Sequence, residues 1–262
     1  MKRTIGFVAL LTAATVGALA QDAKPLPAKT VREAVAAGGI SLNSTDGAAQ
    51  SQAPRTNLFF CPQGECLYYS GDWDCNSSDA NALFDFDNPG IGISDAEVWV
   101  GIRPRKNATI TGTSGNYAAY ATGIGTNPTP VAVRSGITPG QGGKLVCSTQ
   151  GTAVFKSYGN NCQILNADNY FVSKLAKACH LKARKTYYID LTPQYNDSST
   201  LGYLWDDDGA HANKQGWPEI TDHSYFNSSS FNVTWEPTWG SGGACGGIGC
   251  SGFSISLTGK QQ

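Results

Sequence analysis

Four stretches of this 262-residue chain alternate apolar and polar side chains with a period of two. Ala96, Val98, Val100 and Ile102 alternate with Glu97, Trp99 and Gly101. Tyr187, Ile189 and Leu191 alternate with Thr186, Tyr188 and Asp190. The same holds for Phe231, Val233 and Trp235, and for Phe253, Ile255 and Leu257. Successive side chains of a strand point to opposite faces, so alternation puts one face on a core and one in water, the mark of antiparallel sheet. Further strands are expected over 57–61, 66–70, 107–112, 117–122, 129–134, 152–157 and 168–173. Turn signals separate them, among them Pro104, Asn127-Pro128, Pro139-Gly140 and Pro193. With 31 glycines and few charges, the reading is an all-β fold: a single antiparallel β-sandwich, jelly-roll-like, over residues 55–262.

The N-terminus reads differently. Lys2 and Arg3, an apolar run from Ile5, and Ala18-Leu19-Ala20 have the order of a cleavable signal peptide over 1–20. The run is too short to cross ~30 Å of hydrocarbon. Residues 21–54 read as a flexible tail with one short helix, capped by Thr30 and Glu33 and ended at Gly38. The expectation is a secreted, extracellular protein with no membrane span. Loss of Lys2 and Arg3 with the signal would leave 17 Lys/Arg against 20 Asp/Glu. An acidic balance of that kind argues against nucleic acid as a partner.

Eight cysteines follow the signal: Cys61, Cys66, Cys75, Cys147, Cys162, Cys179, Cys245 and Cys250. An even set in an exported chain reads as disulfide staples. The pairing expected from the strand plan is Cys61–Cys66, Cys245–Cys250, Cys147–Cys162 and Cys75–Cys179. The two five-apart pairs also have a spacing that structural zinc sites use, although exported thiols tend to oxidise.

Two segments could carry chemistry. In the first, Asp72, Asp74 and Asn76 hold alternate positions of a loop, with Asp79 following. Oxygen ligands so spaced suit calcium, the one cofactor the sequence suggests. Ser77 and Leu83 stand where an EF-hand needs glycine and glutamate, which rejects that motif. The plainer reading is an Asp/Asn-rich connector bonding its own turns.

The second segment gathers Trp205, Asp206, Asp207, Asp208 and His211, with Trp217 beyond. Carboxylates beside tryptophans suit sugar recognition, the aromatic faces stacking on rings, so Trp205, Asp206, Asp208, His211 and Trp217 are the candidate ligand-binding residues. A glycan-active hydrolase drawing two acids from Asp206, Asp207, Asp208 and Glu219 is the rival, and a solvated loop is the plain alternative. The rest argues against catalysis: no G-x-S-x-G elbow, no H-E-x-x-H and no phosphate loop is present. The basic run Lys174 to Lys185 reads as a solvated edge, and Gly140 to Gly143 as hairpin punctuation. Six Asn-x-Ser/Thr sequons, at Asn43, Asn76, Asn107, Asn196, Asn227 and Asn232, would mark exposed positions in a host that glycosylates. The expected function is a secreted, non-catalytic binding or adhesion module for surface carbohydrate. The alternatives are the hydrolase and a structural extracellular protein with no ligand.

Overall fold

A computed structural model describes residues 66–71, 82–119, 128–159, 167–195, 202–205, 217, 224–238 and 252–262. The expected signal peptide, tail and calcium ligands Asp72, Asp74, Asn76 and Asp79 lie outside these residues, as do Asp206, Asp208 and His211. So do Cys61, Cys75, Cys162, Cys245 and Cys250.

Thirteen strands are described: β1 (Cys66–Tyr69), β2 (Ala82–Phe84), β3 (Phe86–Asn88), β4 (Ile93–Ile102), β5 (Ala108–Ala119), β6 (Thr129–Ser135) and β7 (Lys144–Gly159). They continue as β8 (Ala167–Leu181), β9 (Tyr187–Leu191), β10 (Gly202–Trp205), β11 (Tyr225–Ser228), β12 (Val233–Pro237) and β13 (Ile255–Gln261). Among the described residues the only helical element is a single 3-10 turn at Pro89–Ile91, capped by the side chain of Asn88. No helix among the described residues is long and apolar enough to cross a membrane. The fold is all-β, as expected.

The hydrogen-bond ladder runs through one antiparallel sheet in the order β1-β13-β5-β8-β7-β6-β9-β4-β11-β12. This sheet curls into a half-barrel, where the strand pattern led us to expect two facing sheets. The segment 82–88 links two parts of this sheet. Its first half, β2, pairs with β10 and so with β5, while its second half, β3, pairs with β4. Asp85 stands at the bend between the halves.

The concave side holds the core. Val98, Val100 and Ile102 of β4 meet Ile110 of β5, Val131 and Val133 of β6, Ile189 and Leu191 of β9, and Leu257 of β13, all buried. The alternation in β4 and β9 therefore sets the face as predicted. The intervening residues Trp99 and Tyr188 are buried as well, because a second apolar cluster covers the convex side there. The expected strands 107–112 and 117–122 are one strand, β5. The polar residues between them, Thr113, Ser114 and Asn116, are buried and bond across to Ser254 and Ser256, so a polar stretch that read as a break is a paired seam.

The disulfide expectation needs correction. Cys147 pairs with Cys179, across 32 residues of chain, and not with Cys162. The ladder gives the reason. β7 and β8 pair antiparallel as far as Gly151↔Leu175, and the same register carried four residues on sets Cys147 opposite Cys179, with their Cα atoms 5.8 Å apart. The bridge ties the two strands just past the last backbone pair between them. Cys179 is thus not available to Cys75 either.

Candidate functional site

Of the residues proposed for ligand binding, Trp205 ends β10 and Trp217 is 1 % exposed. Trp217 lies 6.0 Å from the Tyr68 ring, centroid to centroid. An indole so enclosed has no face left for a sugar, so its expected stacking role is withdrawn and it counts as core. The structure brings together two other constellations instead.

The first is on the convex side, where β4, β6, β9, β11 and β12 meet. Trp99 projects there because its neighbours Val98 and Val100 take the concave core. Trp235 of β12 lies 5.4 Å from it at an interplanar angle of 49°. Arg134 of β6 sets its guanidinium 5.3 Å from the Trp99 ring and 5.1 Å from the Trp235 ring, a doubled cation–π contact. Arg134 Nη1 also donates to the Gly142 carbonyl at 3.0 Å. Glu97, on the same side of β4, accepts from Trp99 Nε1 at 2.9 Å and from Asn227 Nδ2 at 3.2 Å. Tyr188 and Tyr225 meet edge to face at 5.5 Å beneath.

Trp99 is buried, whereas Trp235 is partly exposed. The Trp235 backbone is left-handed, φ 47°, a conformation that bulky L-residues rarely hold. Two contacts keep it there. Its carbonyl accepts from Gly140 N–H at 3.1 Å, and Gly142 lies so close to the indole that a Cβ on that glycine would collide with the ring. The hairpin tip between β6 and β7, which the sequence marks by its glycines, is therefore a clamp on Trp235. Strained residues held this firmly by their surroundings concentrate at binding sites.

The electrostatics follow from enclosure. Burial raises the Glu97 carboxyl above its usual range, with the hydrogen bonds from Trp99 and Asn227, and Arg134, acting against it. Burial, with the Tyr225 ring beside it, pushes the Tyr188 phenol up to about 12. The shelf thus offers one aromatic face, a fixed guanidinium and one hydrogen-bonded carboxyl.

The second constellation is internal. Asp85 Oδ1 accepts from Val98 N–H at 3.1 Å. Tyr117 Oη lies 2.9 Å from Asp85 Oδ2 and 2.6 Å from the Leu191 carbonyl. Asp190 accepts from Thr192 Oγ1 at 2.7 Å. Desolvation raises both carboxyls well above the usual range; Asp85 then raises Asp190 further, and Glu97 raises both. The cavity beside Asp85 and Tyr117 measures ≈ 10 Å³, room for about one water. Two carboxyls meet here, but no glycosyl group can reach them.

Sequence reasoning missed both constellations. Trp99 and Trp235 were placed as strand residues, and only their shared aromatic character pointed further. Arg134 and Asn227 are brought to Trp99 by β6 and β11, while Glu97 shares β4 with it. No protein-family model matches the chain, and no curated protein is significantly similar to it.

Proposed function

We propose that the chain is a secreted, non-catalytic binding or adhesion module for carbohydrate, and that the Trp99–Arg134–Trp235 shelf is its recognition face. The observation that carries this reading is Trp235: a partly exposed tryptophan in a left-handed backbone, clamped by a glycine hairpin and backed by a guanidinium. An indole fixed in this way stacks on a flat apolar ring face with little entropy left to lose. The scaffold we propose is the jelly-roll-like sandwich expected from the strand pattern, of which the curled half-barrel is the described part. If calcium takes part, Asp72, Asp74, Asn76 and Asp79 are its proposed ligands. No observation among the described residues favours the hydrolase.

The test is a glycan array and polysaccharide pull-down with the full chain, with calcium and with chelator. At least one glycan should be retained, and Trp235→Ala should weaken it by about tenfold or more, the scale of a buried aromatic anchor. Trp235→Phe should keep most of the binding. Retention of no glycan under either condition would overturn the proposal.

A further inference from the structure

One end of the half-barrel collects positive charge without any negative. β4 ends there at Ile102 and β9 begins there at Tyr187, since these two residues are paired. β5 begins there at Ala108, opposite Leu181 of β8 and Gln261 of β13. The β6–β7 hairpin closes this end, since Arg134 of β6 is paired with Tyr188, and three further segments lie there: 103–107, 182–186 and 260–262. They carry Arg103, Arg105, Lys106, Lys182, Arg184, Lys185 and Lys260, all exposed. No Asp or Glu occurs in any of them, and none of the seven pairs with a carboxylate among the described residues.

The segments are laced into one surface. Arg184 N–H donates to the Pro104 carbonyl at 2.7 Å, and Gln262 N–H to the Asn107 carbonyl at 2.9 Å. Asn107 Oδ1 accepts from Ala183 N–H at 2.9 Å, and Tyr187 Oη from Lys182 N–H at 2.9 Å. Arg184 holds φ at 61°, a turn fixed by the first of these bonds. Like charges that merely keep a surface solvated gain by mixing with acids; bringing seven together unpaired carries a repulsive cost that a polyanion would relieve. The chain as a whole has 19 Lys/Arg against 20 Asp/Glu, so its net charge hides this end entirely.

We propose that this basic end is a docking surface for an acidic polysaccharide, one bearing carboxylate or sulfate groups along its length. A flexible soluble polyanion fits better than a lipid surface. The large apolar side chains exposed among the described residues, Leu145 and Val146, belong to β7 and to none of the three segments. This reading does not rest on the aromatic shelf.

The experiment measures retention of the full-length protein by immobilised polygalacturonate and dextran sulfate, with plain dextran, duplex DNA and anionic phospholipid vesicles alongside. Both acidic polysaccharides should bind at low salt and release by about 1 M salt, where charges are screened beyond ~3 Å. Plain dextran should not bind through this end. The triple variant Arg105→Gln, Lys106→Gln, Lys185→Gln should bind about tenfold more weakly, the sum of three exposed charge contacts. A second triple, Arg103→Gln, Lys182→Gln, Lys260→Gln, should lose a similar amount, which guards against one variant misfolding. Trp235→Ala should leave this binding unchanged, so failure of the shelf and failure of the basic end read out separately. The proposal is overturned if neither acidic polysaccharide binds, if both triples bind as the parent does, or if DNA or vesicles bind more tightly than either polysaccharide.

Discussion

Gly142 and Trp235 form a contact whose energy can be isolated. Gly142 needs no left-handed backbone, and an added methyl meets the indole first. Gly142→Ala should therefore cost about 1–3 kcal/mol through overpacking, read as a lower urea midpoint and a shifted tryptophan emission. In the Trp235→Ala background the same change should be nearly neutral, because the collision partner is gone. Equal costs in both backgrounds would show that the hairpin does not clamp the indole. At this scale the sequence is least legible. Trp217, with acids nearby in the chain, looked like an open platform and is core, while Trp235 looked like a strand residue and carries the exposed face. Residue type and local spacing cannot report which face a distant strand will cover.

The strands themselves were far more legible, because period-two alternation is a local property that tertiary contacts seldom reverse. Val98 and Val100, Ile189 and Leu191 took the concave core that their spacing predicts. What failed was whatever depends on partners. Ser114 and Asn116 fall between two expected strands until Ser254 and Ser256 are placed opposite them. Trp205 reads as part of an acidic segment until β2 and β5 flank the strand it ends. The Cys147–Cys179 bridge is the sharpest case, since its cause is the β7–β8 register, which sets the two cysteines opposite each other. It closes 32 residues of separation, for which chain entropy gives roughly 3–4 kcal/mol of stabilisation, less if another bridge already ties that loop. Replacing both cysteines with serine should lower the thermal midpoint. Hydrogen exchange should accelerate first over Lys144–Gln150 and Ala176–Leu181, where backbone pairing between the two strands is missing. Acceleration spread evenly over the sheet would argue against a local staple.

For the molecule as a whole, the buried acids make a pH profile opposite in sign to that of most proteins. Tyr117 Oη has one hydrogen and two acceptors within reach, Asp85 Oδ2 and the Leu191 carbonyl. Asp190 Oδ1 is buried with no donor. Both facts call for an extra proton on the carboxyl pair, which interacts directly. The charged groups facing the pair are acidic too, Glu97 from β4 and Asp87 from β3. Arg134 lies against Glu97. Asp85, Asp190 and Glu97 thus hold their protons more firmly folded than unfolded. Folding binds protons, and the stability this contributes is full below the ordinary carboxylate range near pH 4. It is lost as pH rises through the folded values. The urea midpoint should fall steadily from about pH 4 toward neutrality as these groups are forced to ionise in the core. Asp190→Asn keeps an acceptor for Thr192 and removes one ionisable group, so its profile should be flatter and should lie above the parent's at neutral pH. A parent midpoint that climbs toward neutrality, with Asp190→Asn running parallel to it, would sink the account. The expected profile would suit a binding module that works in acidic surroundings, where the basic end gains in charge relative to any exposed carboxylates and the interior is held together by a proton.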